Sequence, residues 1–414
     1  MISRVRWTVC ALLFFATTTA YLDRQVLSIL AKTLETDIGW NSVEYGYITG
    51  AFQAAYGIGL LVAGRLMDRV GTKKGYAIAV GLWSVAAISH AAAVSAFTFG
   101  IARSALGLGE AANFPACIKT VAEWFPKKER ALATGIFNSG ANIGAVVAAL
   151  AVPWMAGAFG WRSAFIGTGA LGFLWIVFWL IFYDKPTESR KVSAQELAYI
   201  QSDPPDEVRD VPWARLIPHR ETWAFALGKC LSDPIWWFFL FWFPKYLQET
   251  FSLPLKGIIV PTLVVYNICS VGSVGGGWLS SSLIQRGWTV NWSRKTAMLV
   301  CALCVVPVVY APYCKSLWIV VGLVGLATAA HQGFSANLYT LVSDMFPRSA
   351  VGSVVGIGSA AGMGASVLLQ IGTGYIVQLT HSYLPLFIAA GCAYVSALAV
   401  VHALSPKLAP AELG

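Results

Sequence analysis

The chain has 414 residues, of which 57% are hydrophobic and 12% charged, against roughly 45–50% and about 25% in an ordinary soluble domain. One globular core cannot absorb that much apolar surface, and a soluble chain of this length divides into domains with charged surfaces. The net charge of +9 would suit nucleic acid or an acidic partner, but the charges fall in the polar stretches between apolar runs, which excludes a nucleic-acid-binding face.

Apolar runs of about 20 residues recur from end to end, each long enough to cross roughly 30 Å of hydrocarbon. Twelve spans are predicted, at 7–30, 46–65, 75–95, 98–120, 133–152, 161–183, 222–247, 257–283, 296–314, 317–342, 351–377 and 382–404. The first begins like a signal peptide, with Arg4, Arg6 and an apolar run to Ala20. Its helical pattern continues past Asp23 and Arg24 to Leu30, so it is read as an uncleaved membrane helix.

After the second span stands Gly64-Arg65-Leu66-Met67-Asp68-Arg69-Val70-Gly71-Thr72-Lys73-Lys74. Gly64 allows close helix approach, Asp68 can hold a neighbouring helix end, and Arg69 adds a basic partner, so these three are read as gating or structural residues of a latch. The plain alternative is a basic loop obeying the orientation rule.

Ionisable groups inside spans cost several kcal/mol unless paired or hydrated, so the few present each need a reason. Asp23 and Arg24 are neighbours in span one, about 100° apart on a helix, and therefore address different partners. Arg103 and Glu110 in span four are seven residues apart and share a helix face. An arginine fork can hold a carboxylate at two points, while a membrane glutamate can load and release a proton. The structural alternative is that these charges pair across helices and hold the bundle together, Arg103 serving to tune Glu110.

The stretch 184–221 carries Pro186, Pro204, Pro205, Pro212 and Pro218 among many charges and is read as a cytoplasmic linker between bundles 1–183 and 222–414. In span seven Lys229 and Asp233 have i, i+4 spacing, which suits an intrahelical salt bridge and a structural or gating role. Tyr56, Asn142, Trp237, His331, Gln332 and Asn337 are the uncharged candidates for hydrogen-bonding a hydroxylated substrate. Packing inside the bundle is the equal alternative for any one of them.

Of the 29 Lys and Arg, Lys32, Arg162, Lys245, Lys256 and Lys315 fall on one side of this map, Arg24, Arg103 and Lys229 lie within spans, and the rest fall on the side of the termini. That side is expected to be cytoplasmic. The eight cysteines lie in or beside apolar runs without CxxC or metal-type spacing and read as small buried hydrophobes. No cofactor or metal is expected, and no nucleophile, base and oxyanion cluster suggests an enzyme. The loops are too short for a receptor's sensing domain.

The two halves echo each other. Trp124-Phe125-Pro126 after span four matches Met345-Phe346-Pro347 after span ten, Gly135 and Gly356 open the following helices, and Gly276-Gly277-Trp278 through Arg286 and Gly287 is a degenerate copy of the loop at 64–74. Repeated six-helix halves are the layout of the major facilitator fold, an all-α membrane fold of twelve helices.

Tyr21 to Arg24, Gly64 to Lys74, Glu110 with Pro115, Glu123-Trp124-Phe125-Pro126 with Glu129-Arg130, and Gly228-Lys229 with Asp233-Pro234 together resemble the anion:cation symporter family of the major facilitator superfamily. That family includes bacterial hexuronate and galactonate transporters, and the resemblance covers essentially the whole chain. It implies that Asp23 and Glu110 carry protons and that Arg24 and Tyr56 engage a sugar acid. Ala330-His331-Gln332 followed by Ser335, Thr340, Ser343 and Asp344 looks most like hexuronate transporters. Galactonate-type members carry asparagines in helix eleven, where this chain has Ser359 and Met363. The expectation is a monomeric inner-membrane symporter whose partners are a small organic anion, protons and the bilayer. Its substrate-binding residues would be Arg24, Tyr56, Arg103, Asn142, Trp237, Gln332 and Asn337. A carrier of another organic anion, such as galactonate, an aromatic carboxylate or a dicarboxylate, is the alternative.

Overall fold

In hydrocarbon every backbone N–H and C=O must be paired within its own segment, so apolar runs of this length fold as helices. The computed structural model describes residues 5–202, 212–409 and 411, and only the backbone at 64–66, 68, 127–128, 131, 273 and 348–349. Among the described residues there are helices and turns but no strand.

In chain order the helices are α1 (Val5–Ile38), α2 (Ser42–Val70), α3 (Thr72–Ser89), α4 (Ala96–Glu110), α5 (Asn113–Trp124), α6 (Lys127–Phe159), α7 (Trp161–Phe182), α8 (Ala194–Ile200), α9 (Trp213–Leu216), α10 (Arg220–Phe251), α11 (Ile259–Gln285), α12 (Val290–Val305), α13 (Leu317–Met345), α14 (Arg348–Thr380) and α15 (Leu384–Leu404). Among the described residues, ten helical segments are long and apolar enough to cross a membrane. The two other predicted spans are α10, which carries Lys229, Asp233 and Lys245, and the segment that folds as α4 and α5.

That fourth span is broken, where the sequence pattern predicts one helix over 98–120. Pro115 has no N–H to give the Ala111 carbonyl, so the ladder loses that bond and is weakened at this turn. The chain tightens at Ala112, whose N–H reaches Gly109 O at 3.3 Å, and α5 starts at Asn113. Glu110 is thereby the last residue of α4.

The chain divides into two compact units, Met1–Trp40 with Ala51–Glu207 and Asn41–Gly50 with Val208–Gly414. In the first, α1 packs on α6 and α7, and α3 on α4 and α7. Gly140 and Gly144 let α6 touch the α1 backbone, since a Cβ on Gly144 would run into Thr18 O and Tyr21. The same unit holds α8, which follows the point where the linker was expected to begin. Arg6 Nε lies 3.0 Å from Glu129 on α6 and Arg6 Nη1 lies 3.1 Å from Glu196 on α8. Glu196 also accepts the N–H groups of Val5 and Arg6, both at 3.3 Å, and so caps α1 from the linker.

In the second unit α10 packs on α14 and α15, and α11 on α13. Gly276 and Gly333 bring α11 and α13 into backbone contact, and the opening of α2 belongs here, with Tyr45 OH donating to Phe241 O at 2.7 Å.

The internal repeat is written into the backbone. Phe125 (φ −124°, ψ 134°) and Pro126 (−63°, 154°) link α5 to α6, while Phe346 (−120°, 147°) and Pro347 (−63°, 151°) link α13 to α14 in nearly the same conformation. Gly71 after α2 and Gly287 after α11 both take positive φ, +84° and +88°, which favours glycine and explains why both loops keep it. All eight cysteines are free; Cys10, Cys117, Cys269 and Cys301 are buried as expected. Cys230, Cys304 and Cys314 are half-buried and Cys392 is exposed, which the sequence reading as buried hydrophobes did not anticipate.

Candidate functional site

The first unit concentrates most of the intramembrane charge around Arg24. Its Nε and Nη2 both donate to Oε2 of Glu110, at 3.0 and 2.7 Å, joining α1 to α4. Arg24 is 3% exposed and Glu110 fully buried, so this is a charge-assisted pair sheltered from water. Glu110 Oε1 has no hydrogen-bond partner among the described residues, which leaves one lone-pair face for a proton or a further donor.

Arg103 approaches from the same face of α4. Its Nη2 donates to the Arg24 backbone carbonyl at 2.7 Å, so the seven-residue spacing does bring Arg103 and Glu110 to one place. Aromatic rings surround the two guanidinium groups. Arg24 Cζ lies 4.4 Å from the Tyr21 ring centroid, 5.2 Å from Phe52 and 5.1 Å from Tyr56, and Arg103 Cζ lies 5.3 Å from Phe52. These rings stabilise the cations through their π faces while excluding water.

Asp23 points elsewhere than its neighbour. It is 2% exposed, and neither carboxyl oxygen completes a hydrogen bond among the described residues, although the Thr168 hydroxyl on α7 lies close and Arg103 and Glu110 act on it electrostatically. A buried carboxylate in that state is costly, and taking a proton removes the cost. Asn142 is half-buried on α6, between Gly140 and Gly144.

The remaining candidates form a separate set in the second unit. Lys229 Nζ lies 2.7 Å from Asp233 Oδ2, the intrahelical bridge that the spacing predicts, and 3.0 Å from Tyr339 OH. Trp237 is buried and stacks on Phe241 at 5.5 Å. Gln332 is half-buried beside the Cys269 thiol. Asn337 spends its amide hydrogens on Gly276 O and Gly333 O, at 3.0 and 2.9 Å, where α11 and α13 touch. His331 stacks on Trp236 at 5.1 Å and meets Tyr394 OH at 2.7 Å. Arg69 is exposed in the last turn of α2, while the side chain of Asp68, and Gly64 beyond its backbone, lie outside the described residues.

Sequence reasoning missed Phe52, Thr168 and Tyr339. Phe52 could have been found, since it lies four residues before Tyr56 on the same helix face. Thr168 and Tyr339 act across helices and left no local signal. Among the described residues no cluster of His, Cys, Asp and Glu is placed to hold a metal ion.

Paired helical repeats with buried acid–base pairs define a membrane transporter of the secondary type. Residues 13–369 match the family model of the Major Facilitator Superfamily, and the chain belongs to that superfamily, whose members are transporters and not enzymes. It is 33% identical to the hexuronate transporter of Escherichia coli (strain K12) over 393 residues, covering 93% of this chain and 90% of the relative. It is 32% identical to the probable galactarate/D-glucarate transporter of Bacillus subtilis (strain 168), covering 92% and 87%, and 28% identical to the D-galactonate transporter of Escherichia coli O6:H1, covering 97% and 95%. Among solved structures, a D-xylose–proton symporter superposes with TM-score 0.76 at 15% identity, covering 98% of both chains. An inward-facing bacterial homolog of the human lysosomal transporter Spinster gives TM-score 0.75 at 18%, covering 98% and 96%. The chain is a multi-pass membrane transporter.

Proposed function

We propose that the protein imports a sugar acid, a hexuronate such as glucuronate or galacturonate, together with protons, across the cytoplasmic membrane by alternating access. The Lys and Arg bias supports an orientation with both termini cytoplasmic. The observation that carries the reading is the Arg24–Glu110 pair. Arg24 offers the planar fork a carboxylate needs, but Glu110 already occupies it, so a substrate carboxylate and Glu110 compete for one guanidinium.

Protonation resolves the competition. A proton on Glu110 turns a charge-assisted contact into a weak one and frees Arg24 for the incoming anion, while a proton on Asp23 removes a second negative charge nearby. Substrate and proton then favour each other's binding, and linkage makes that preference reciprocal. After release on the far side, Glu110 loses its proton and reclaims Arg24.

The decisive test is uptake of labelled glucuronate and galacturonate by proteoliposomes with and without an imposed inward proton gradient. The expected result is accumulation only with the gradient, and uptake indifferent to it overturns the coupling. A second reading is transport of an aldonate such as galactonate, an aromatic carboxylate or a dicarboxylate. The similar identities to the galactarate/D-glucarate and D-galactonate relatives favour it. Competition of labelled uptake by a panel of carboxylates separates the two.

A further inference from the structure

The second unit holds an acid–base pair that the mechanism above leaves unused. Lys229 and Asp233 are 4% and 7% exposed, bridged at 2.7 Å, with the Lys229 ammonium 4.5 Å from the centroid of the Tyr339 ring. A purely structural role explains it poorly. Both partners sit on α10, so their bridge ties no two helices together, and among the described residues the pair reaches another helix through the hydrogen bond from Lys229 to Tyr339 OH at 3.0 Å. A well-packed apolar pair would serve packing at less desolvation cost.

The surroundings are built to let the pair part. Pro234 follows Asp233 and gives no N–H to the Cys230 carbonyl, which weakens α10 at this turn. Gly362 on α14 faces the carboxylate with bare backbone, since a Cβ there would stand 2.8 Å from Asp233 Oδ2 and 3.3 Å from Lys229 Cβ. The arrangement repeats the logic of Arg24 and Glu110: a buried base, masked by an internal carboxylate and flanked by a tyrosine ring.

Building on the proton-coupled reading, we propose that Lys229 is a second carboxylate-binding group, unmasked when Asp233 takes up a proton. One proton from water passes to Asp233, the Lys229–Asp233 bridge opens, and the ammonium accepts a substrate carboxylate; release reverses each step, and no covalent bond other than O–H is made or broken. The groups facing the pair are Cys230 on α10, Tyr339 and His331 on α13, and Tyr394 on α15, while α14 presents Gly362.

The test is equilibrium binding of glucuronate, galactonate and glucarate to purified full-length protein between pH 5 and 8, using whichever binds wild type most tightly. Wild-type affinity is expected to fall as pH rises, because Asp233 must be protonated for Lys229 to be free. In Asp233→Asn, a neutral stand-in for the protonated acid, that fall is expected to be shallower by up to tenfold per pH unit. The apolar double variant Lys229→Met/Asp233→Leu, which leaves no buried charge unpaired, is expected to bind at least tenfold more weakly. Unchanged affinity in the double variant overturns the proposal and leaves the Arg24 site standing. So does a slope that moves with His331→Gln instead of Asp233→Asn. Failure of wild type to bind any of the three acids overturns the proposal together with the sugar-acid reading.

Discussion

At the residue scale, the proposed mechanism turns on how one guanidinium is shared. Both hydrogen bonds from Arg24 end on a single oxygen of Glu110, at 3.0 and 2.7 Å, a fork that lysine cannot copy with one ammonium. Arg24→Lys is therefore expected to weaken sugar-acid binding by tenfold or more, about 1.4 kcal/mol, measured by calorimetric titration. Arg24→Ala leaves Glu110 buried without its base, a loss of about 3–5 kcal/mol in stability. In Arg24→Ala/Glu110→Gln the melting temperature is expected to recover while binding stays lost. Recovery of both would remove Arg24 from the site.

Much at this scale was legible in the sequence. The spacing of Arg103 and Glu110 predicts a shared face, and both meet Arg24; the spacing of Lys229 and Asp233 predicts their bridge. The pairing of Arg24 with Glu110 was not legible, because it depends on the register of α1 against α4, which no local pattern encodes. The same holds for Gly362 opposite Asp233, a contact between residues far apart in the chain.

At the element scale, helix ends and close approaches decide the architecture. Hydropathy predicts a first span of 7–30, yet α1 runs from Val5 to Ile38, because a helix continues through polar residues such as Lys32 and Glu35 after the hydrocarbon ends. The break after Glu110 falls where Pro115 removes one bond of the ladder, a weakness visible in the sequence, but Pro153 and Pro234 lie inside unbroken helices, so the residue type alone does not place it.

Two variants test these elements. Gly144→Val is expected to force α6 off α1 and sharply reduce the yield of monodisperse protein in size-exclusion chromatography, whereas Gly364→Ala, with nothing within 4 Å of its added Cβ, is expected to leave it unchanged. Glu196→Ala removes the acceptor for Val5 N–H, Arg6 N–H and Arg6 Nη1 at a cost of about 1–3 kcal/mol. Helix α8 should then come loose, seen as faster trypsin cleavage at Arg190 and Lys191. An unchanged cleavage rate would show that α8 is held by something other than Glu196.

At the scale of the whole molecule, the repeat is a physical statement and not only a pattern of letters. Phe-Pro links with matching dihedral angles lead into α6 and α14, each 33 residues long, and glycines of positive φ follow α2 and α11. Membership of the superfamily was legible because such turns need particular residue types. The hydroxyl pattern of the substrate was not, because a few side chains placed to within about 0.5 Å set it, and residues like Gln332 and Asn142 carry no spacing rule.

In the proposed mechanism Glu110 trades its hold on Arg24 for a proton when the anion binds. Accumulation and counterflow of the transported sugar acid, compared in one preparation of Glu110→Gln proteoliposomes, separate proton carriage from anion binding. The expected result is that gradient-driven accumulation is lost while exchange of internal for external substrate persists, since a neutral glutamine no longer holds Arg24 by charge and cannot carry a proton. Accumulation at the wild-type level in Glu110→Gln would contradict it.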